Sequence, residues 1–133
     1  MFKEGSATLE KRVALVTGGA RGIGEAIVRC LVGQGVKVYF TYWSSEDQAK
    51  ALSSSLMKQG SPVSIRCDVR SKQDVEKTLD AILAKEAGID ILVNNAGIIK
   101  DGLFLTLEDA DWQEVLDTNL GSVYFFAKRF RGR

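Results

Sequence analysis

The stretch from Thr17 to Gly24, TGGARGIG, sets four glycines and one arginine within eight residues. Glycines let a chain turn tightly and let backbone N–H groups come close to an anion. Where such a turn opens a helix, the unpaired N–H groups and the positive end of the dipole favour a phosphate. The chemistry on offer is therefore binding. The chain contains no histidine, which removes Ser-His-Asp and Cys-His nucleophiles and deprives any metal site of its commonest nitrogen ligand. No metal site is expected. Cys30 and Cys67 are too few for a disulfide framework and read as buried free thiols.

The elements that must position the glycine turn follow from two alternating periods. Short apolar, β-branched runs at Val13–Thr17, Lys37–Thr41, Val63–Cys67 and Ile89–Val93 read as strands, and the segments between them have helical spacing. Runs such as VALV and IDILV do not alternate polar with apolar, which suits parallel strands covered on both faces. The expectation is an α/β fold, βαβαβαβ, with helices on both sides of a parallel sheet. Ser45 reads as an N-cap before EDQAKALSSSLMKQ and Gly60 as its C-terminal glycine; Ser71-x-x-Asp74 reads as a capping box. A further helix starts near Thr106, Glu108 and Asp109, and DTNLGSVYFFAKRF reads as a last one broken near Gly121 or beginning around it.

The glycine turn thus lies between the first strand and its helix, on which Ala26, Ile27, Cys30 and Leu31 are expected to share a face. Gly18 would allow the turn, Gly22 the approach of a pyrophosphate, and Gly24 close packing of the helix. Lys+Arg 18 against Asp+Glu 17, scattered along the chain, encode no attraction to nucleic acid or an anionic membrane. The first ten residues lack the apolar core of a signal peptide and no run reaches the roughly 20 apolar residues of a spanning helix, so the reading is cytoplasmic. The 133 residues suffice for one domain, with no linker or repeat to divide them.

Three motifs in order carry a family resemblance. Thr17 to Gly24, with Thr17, Gly18, Gly19, Ala20, Arg21, Gly22, Ile23 and Gly24, resembles the cofactor loop of the short-chain dehydrogenases/reductases. Asn94-Asn95-Ala96-Gly97 resembles that family's NNAG motif after the fourth strand, and Cys67-Asp68-Val69 its adenine-contacting turn after the third. Asn119 in DTNL matches an asparagine of the family's catalytic group. The wording ILVNNAGI, DGL and TNL is similar to that of the 3-oxoacyl-acyl-carrier-protein reductases of fatty acid synthesis.

The resemblance implies a Rossmann-type doubly wound sheet in the order 3-2-1-4 and a dinucleotide held by the glycine loop, Asp68, Val69, Asn95, Ala96 and Gly97. Asp68 alone would read as an Asx-turn holding its loop, and it is the other motifs beside it that put cofactor contact ahead; Asn94 would also suit a strand-end cap with no ligand. Cofactor choice turns on the end of the second strand, where an acid would bind the adenosine 2′-hydroxyl and repel a 2′-phosphate. Here Tyr42 and Trp43 stand in that place, and Arg21 is the cation that NADP-preferring relatives set beside the phosphate. NADP(H) is expected, with Arg21, Trp43 and Ser44 near the 2′-phosphate.

The family's Ser and Tyr-x-x-x-Lys follow a fifth strand, which would just be starting at FRGR. Only Asn119 of the catalytic group carries over. Tyr124-Phe-Phe-Ala-Lys128 fits the pair literally but lies five residues after Asn119, on a helix that the resemblance assigns to packing and subunit contact; it reads as coincidence. The expectation is an NADP-dependent reductase of acyl thioesters cut short after its fourth strand and following helices, and inactive as it stands. The family implies a homotetramer, and the fourth strand is expected at an open edge prone to aggregation or pairing. The alternatives are a non-catalytic NADP-binding module and an interaction subunit that pairs with a full-length relative.

Overall fold

The computed structural model describes residues 8–130. Four strands, β1 (Val13–Val16), β2 (Lys37–Tyr42), β3 (Val63–Arg66) and β4 (Ile91–Val93), form one parallel sheet in the order β3-β2-β1-β4. Helices α1 (Gly22–Gly33), α2 (Glu46–Ser55) and α3 (Lys72–Leu83) connect them, and α4 (Asp109–Leu116) and α5 (Ser122–Arg129) follow. Between α4 and α5 the backbone makes a π-helical turn over Asp117–Gly121. Order, class and parallel pairing agree with expectation.

β1 shows why its VALV run lacks alternation, since all of its residues are buried. Ala14 and Val16 join Val38 and Phe40 against Val28, Val32, Ala49 and Leu52 of α1 and α2. Val13, Leu15 and Tyr39 face the other way, onto Val75, Leu79 and Ile82 of α3 and Phe126 of α5. Each face thus has its own apolar layer, which is the condition for a parallel sheet. β4 pairs only with β1 among the described residues and is half-buried along its length.

Several sequence expectations need correction. The face of α1 that packs is Gly24, Val28 and Val32, flanked by Ile27 and Leu31; Ala26 and Cys30 lie on the opposite side, so Cys30 is exposed while Cys67 is buried. α2 ends at Ser55 rather than running to Gly60. Buried Leu56 closes the helix through its carbonyl, which accepts from the amides of Gly60 and Ser61, and Ser61 takes the left-handed conformation at φ 46°. Gly60 has a packing reason instead: a Cβ there would stand 3.0 Å from Val32 Cγ1. Ser45 precedes α2 but makes no capping hydrogen bond with its side chain. Ser71 does cap α3, accepting from the Asp74 amide at 3.2 Å, although the Asp74 carboxylate accepts from the Asp68 amide instead of closing the box.

Two properties of the second layer can be measured. Phe126 is the side chain by which α5 enters the core, and it is fully buried; Phe126→Ala is expected to lower stability by about 3–5 kcal/mol in denaturant unfolding. The buried Tyr39 hydroxyl donates to Glu86 Oε1 at 2.6 Å, and Glu86 also pairs with Lys37. Burial first, then the hydrogen bond and charge of Glu86, push the phenol up from 10.0 to about 12. A raised phenol pKa favours the neutral form in the fold, so this stabilisation is complete below pH 10 and lost as pH rises through 12. Its size is on the order of 2 kcal/mol. Alkaline unfolding of Tyr39→Phe is expected to show a flatter limb across pH 10–12.

Candidate cofactor site

The chain leaves β1 at Val16, turns through Gly18, at φ +66°, and enters α1 at its first residue, Gly22, at φ +57°. Both angles are in the left-handed region that favours glycine. Gly24 then packs so closely that a Cβ would fall 2.1 Å from the Gly18 carbonyl oxygen. The N-cap residue Arg21 supplies no side-chain acceptor to the first turn of α1, so its N–H groups stay available to an anion. A Cβ at Gly22 would meet no protein atom within 4 Å. The turn is thus a cradle with open space above it, and a pyrophosphate fits it.

The cradle forms one wall of a cleft of about 490 Å³ at the carboxyl ends of the strands. Opposite lie Asn95, Ala96, Gly97 and Ile98 after β4, and Asp68 and Val69 after β3. Thr17 joins the walls. Its hydroxyl accepts from the amides of Asn95 and Ala96, both at 3.0 Å, and donates to the Val93 carbonyl at 3.4 Å. The Asn95 side chain donates back to the carbonyls of Thr17 and Gly18, both at 3.0 Å. Thr41 on β2 completes the bracing by accepting from the Gly18 amide on its hydroxyl and the Gly19 amide on its carbonyl.

Asp68 sits in a fork made by its own loop. Its Oδ1 accepts from the Arg70 amide at 3.0 Å and from Nε at 2.9 Å, and its Oδ2 accepts from Arg70 at 2.9 Å. The side-chain hydrogen bond from Arg70 holds the carboxyl below its ordinary range against the opposing effect of burial. Asp68 is an ionised acceptor at neutral pH, half-buried on the cleft wall. The Asx-turn and the cleft position therefore coexist. Arg70 also donates to Glu114 of α4, which Lys100 bridges to Asp111.

At the end of β2 the cleft is lined by Tyr42, Trp43, Ser44 and Ser45, and Arg21 of the glycine turn lines the same cleft. No carboxylate of β2 reaches this end. The guanidinium of Arg66 lies over the Trp43 ring, 4.8 Å from its centroid.

Most residues expected at the cofactor are on the cleft wall: Gly18, Ala20, Arg21, Gly22, Ile23, Gly24, Trp43, Ser44, Asp68, Val69, Asn95, Ala96 and Gly97. Thr17 and Gly19 stand behind it, Thr17 as the clasp just described and Gly19 against Phe40, whose Cβ is 2.5 Å from where a glycine-replacing Cβ would be. Asn119 lies on the π turn and is occupied with Ile98: its Oδ1 accepts from the Ile98 amide at 2.8 Å and its Nδ2 donates to the Ile98 carbonyl at 3.0 Å. Its neighbour Thr118 lines the cleft instead. Sequence reasoning missed Arg70, Glu114 and Thr118, which also line the cleft. Arg70, two residues from Asp68, was accessible through Asx-turn spacing; the others depend on tertiary placement.

Tyr124 and Lys128 do meet, Nζ donating to the phenol oxygen at 3.0 Å. Hydrogen bonding and charge from Lys128 lower the Tyr124 pKa. Both side chains line a shallow apolar groove with Leu116, Leu120 and Val123, away from the cleft. Ser122 is buried and donates to the Thr118 carbonyl. Among the described residues no group of three or more acidic, cysteine or histidine side chains is arranged to hold a metal, and no helix is long and apolar enough to cross a membrane.

Comparison with known proteins gives this cleft a family. The family described as short chain dehydrogenase matches residues 12–131. The 3-oxoacyl-acyl-carrier-protein reductase FabG of Escherichia coli (strain K12) is 40% identical over 119 residues, covering 90% of this chain and 48% of that protein. The corresponding reductase of Vibrio harveyi is 41% identical over 120 residues, with 90% and 48% covered. This chain spans about half the length of the curated relatives it matches. Among solved structures, a mutant short-chain dehydrogenase/reductase of Serratia marcescens superposes with a TM-score of 0.87 at 34% identity, covering 91% of this chain and 50% of that one. A blue fluorescent protein from a metagenomic library, solved in complex with NADPH, gives 0.86 at 33% identity, with the same coverage. With the glycine cradle, the Asn95 clasp and the 3-2-1-4 sheet in register, the chain belongs to the short-chain dehydrogenase family.

Proposed function

We propose that this chain carries the NADP(H)-binding part of a reductase acting on 3-oxoacyl thioesters. The observation that carries the cofactor reading is the end of β2, where Trp43 and Ser44 line the same cleft as Arg21. A 2′-phosphate finds a cation there and meets no acid from β2. The substrate reading rests on the relatives, whose names state 3-oxoacyl-acyl-carrier-protein reduction.

In this reading the N–H groups of Gly22, Ile23 and Gly24 hold the pyrophosphate, Asp68 accepts from the adenine amino group, and the small residues Ala96 and Gly97 let the backbone approach the ribose. The bound dinucleotide supplies a hydride for the 3-keto carbon. Asn119 is the chain's own contribution to the catalytic group: by fixing the Ile98 backbone from both sides of its amide, it sets the distance between the π turn and the cofactor wall. Protonation of the developing alkoxide falls to groups outside these residues. The intact enzyme is proposed to be a cytoplasmic homotetramer.

A second reading, an NADP-binding module without turnover, is favoured by one observation: Tyr124 and Lys128 line a groove separate from the cleft. NADPH oxidation with an acetoacetyl thioester, using protein of verified intact mass, separates the two. NADPH binding without turnover is the expected outcome for these 133 residues; turnover would return Tyr124 and Lys128 to the mechanism. In titrations, Arg21→Ala is expected to weaken NADPH by about tenfold, roughly 1.4 kcal/mol, and NADH by much less. Equal losses would sink the 2′-phosphate assignment.

A further inference from the structure

The described arginines divide by what they pair with. Arg12, Arg29, Arg70 and Arg129 each have a carboxylate partner. Among the described residues, Arg21 and Arg66 alone of the arginines make no ion pair and no side-chain hydrogen bond. Arg21 lines the cleft. Arg66 is the last residue of β3, in register with Tyr42, the last residue of β2.

That register sets the side chain of Arg66 beside the β2–α2 loop, and its guanidinium stacks on Trp43, which does line the cleft. Trp43 is 49% exposed, so the stack sits at the mouth rather than in the core. The charge of Arg66 is also felt at Glu46, the first residue of α2, whose carboxyl is lowered mainly by Lys50 and further by Arg66. A cation on an aromatic face keeps all its N–H donors at the ring edge free for an anion, and stacking restricts a side chain that is otherwise costly to order. Bidentate recognition of a phosphate needs such a planar, pre-positioned fork.

We propose that Arg66, held on the Trp43 ring, is a second cation for the adenosine 2′-phosphate and so a determinant of the choice between NADPH and NADH. The inference rests on the NADP(H) reading above. Arg21 approaches the phosphate from the glycine wall and Arg66 from the β3 side, with Trp43 as the platform that aims it. Each contributes charge that a cofactor lacking the 2′-phosphate does not use.

Calorimetric titration of the chain with 2′,5′-ADP and with 5′-AMP tests this, because the two probes differ only in the 2′-phosphate. Arg66→Gln is expected to weaken 2′,5′-ADP about tenfold and 5′-AMP less than twofold, with an unchanged thermal midpoint, and to flatten the salt dependence of 2′,5′-ADP binding. Arg66→Lys, which keeps charge and loses the planar fork, is expected to fall between. Trp43→Ala should reproduce the loss without removing any charge. Equal losses for both probes, or no loss for either, would overturn the proposal. If the unaltered chain shows no preference for 2′,5′-ADP, or binds neither probe, the NADP(H) reading falls and this one with it. If Arg21→Ala abolishes the preference and Arg66→Gln leaves it intact, only the role of Arg66 is lost.

Discussion

The cleft depends on one hydroxyl. Thr17 Oγ1 takes two amide donors from the turn after β4 and gives its own proton to the Val93 carbonyl, so a single nearly inaccessible side chain ties the ends of two parallel strands together. The Asn95 amide group answers from the other side by donating to the Thr17 and Gly18 carbonyls. Leaving one such donor unpaired would cost about 1–3 kcal/mol, and several are gathered here within two turns. β1 and β4 are also where the strand order reverses direction in 3-2-1-4, the point at which a doubly wound sheet opens a crevice. The clasp closes the base of that crevice while leaving its mouth to Gly22, Ala96 and Gly97.

Charge around the cleft follows two regimes. On the β3 side, Asp68, Arg70, Glu114, Lys100 and Asp111 form a chain of ion pairs that runs from the cleft wall to α4. These groups are partly exposed, and pairs of that kind each contribute little to stability. Their effect is orientation: Arg70 keeps the Asp68 carboxylate ionised and fixed, and Glu114 keeps Arg70 in place. At the end of β2 the opposite holds, because among the described residues Arg21 and the stacked Arg66 make no ion pair and the charge of Arg66 is offset just by the more distant Glu46, itself bound to Lys50. An anionic ligand is the simplest way to balance that excess.

The sequence made the sheet legible because its signals were local. Non-alternating VALV, a glycine cluster directly after it and a Ser-x-x-Asp start each depend on neighbours a few residues away, and β1, the cradle and α3 appear where they predict. The failures came where tertiary packing decided. Cys30 shares apolar character with Leu31, but Val28 and Val32 take the inner face of α1 and leave the thiol outside. The end of α2 was set by burial of Leu56, which no glycine signal announces. At the site, residue types at strand ends located both walls, whereas Arg66 and Glu114 reach their places through strand register and helix docking, which a single sequence does not display.

The last helical run shows why spacing alone does not make a site. Thr118, Ser122 and Phe126 follow one another at intervals of four and are all buried, so they fix the inward face. Tyr124 and Lys128 each lie two residues from Phe126, about 200° around the helix, which sends both outward however well they bond to each other. Their hydrogen bond lowers the phenol pKa as a catalytic pair requires, yet the property is spent on solvent and an apolar groove. The same geometry turns Asn119, one residue from Thr118, toward the Ile98 backbone. The π turn accommodates this within an otherwise continuous helix, and such turns often occur where function needs a side chain re-aimed. Phe126 therefore decides the placement of the whole segment: by claiming the core, it leaves Asn119 bonded to Ile98 on the cleft wall and turns Tyr124 away from it.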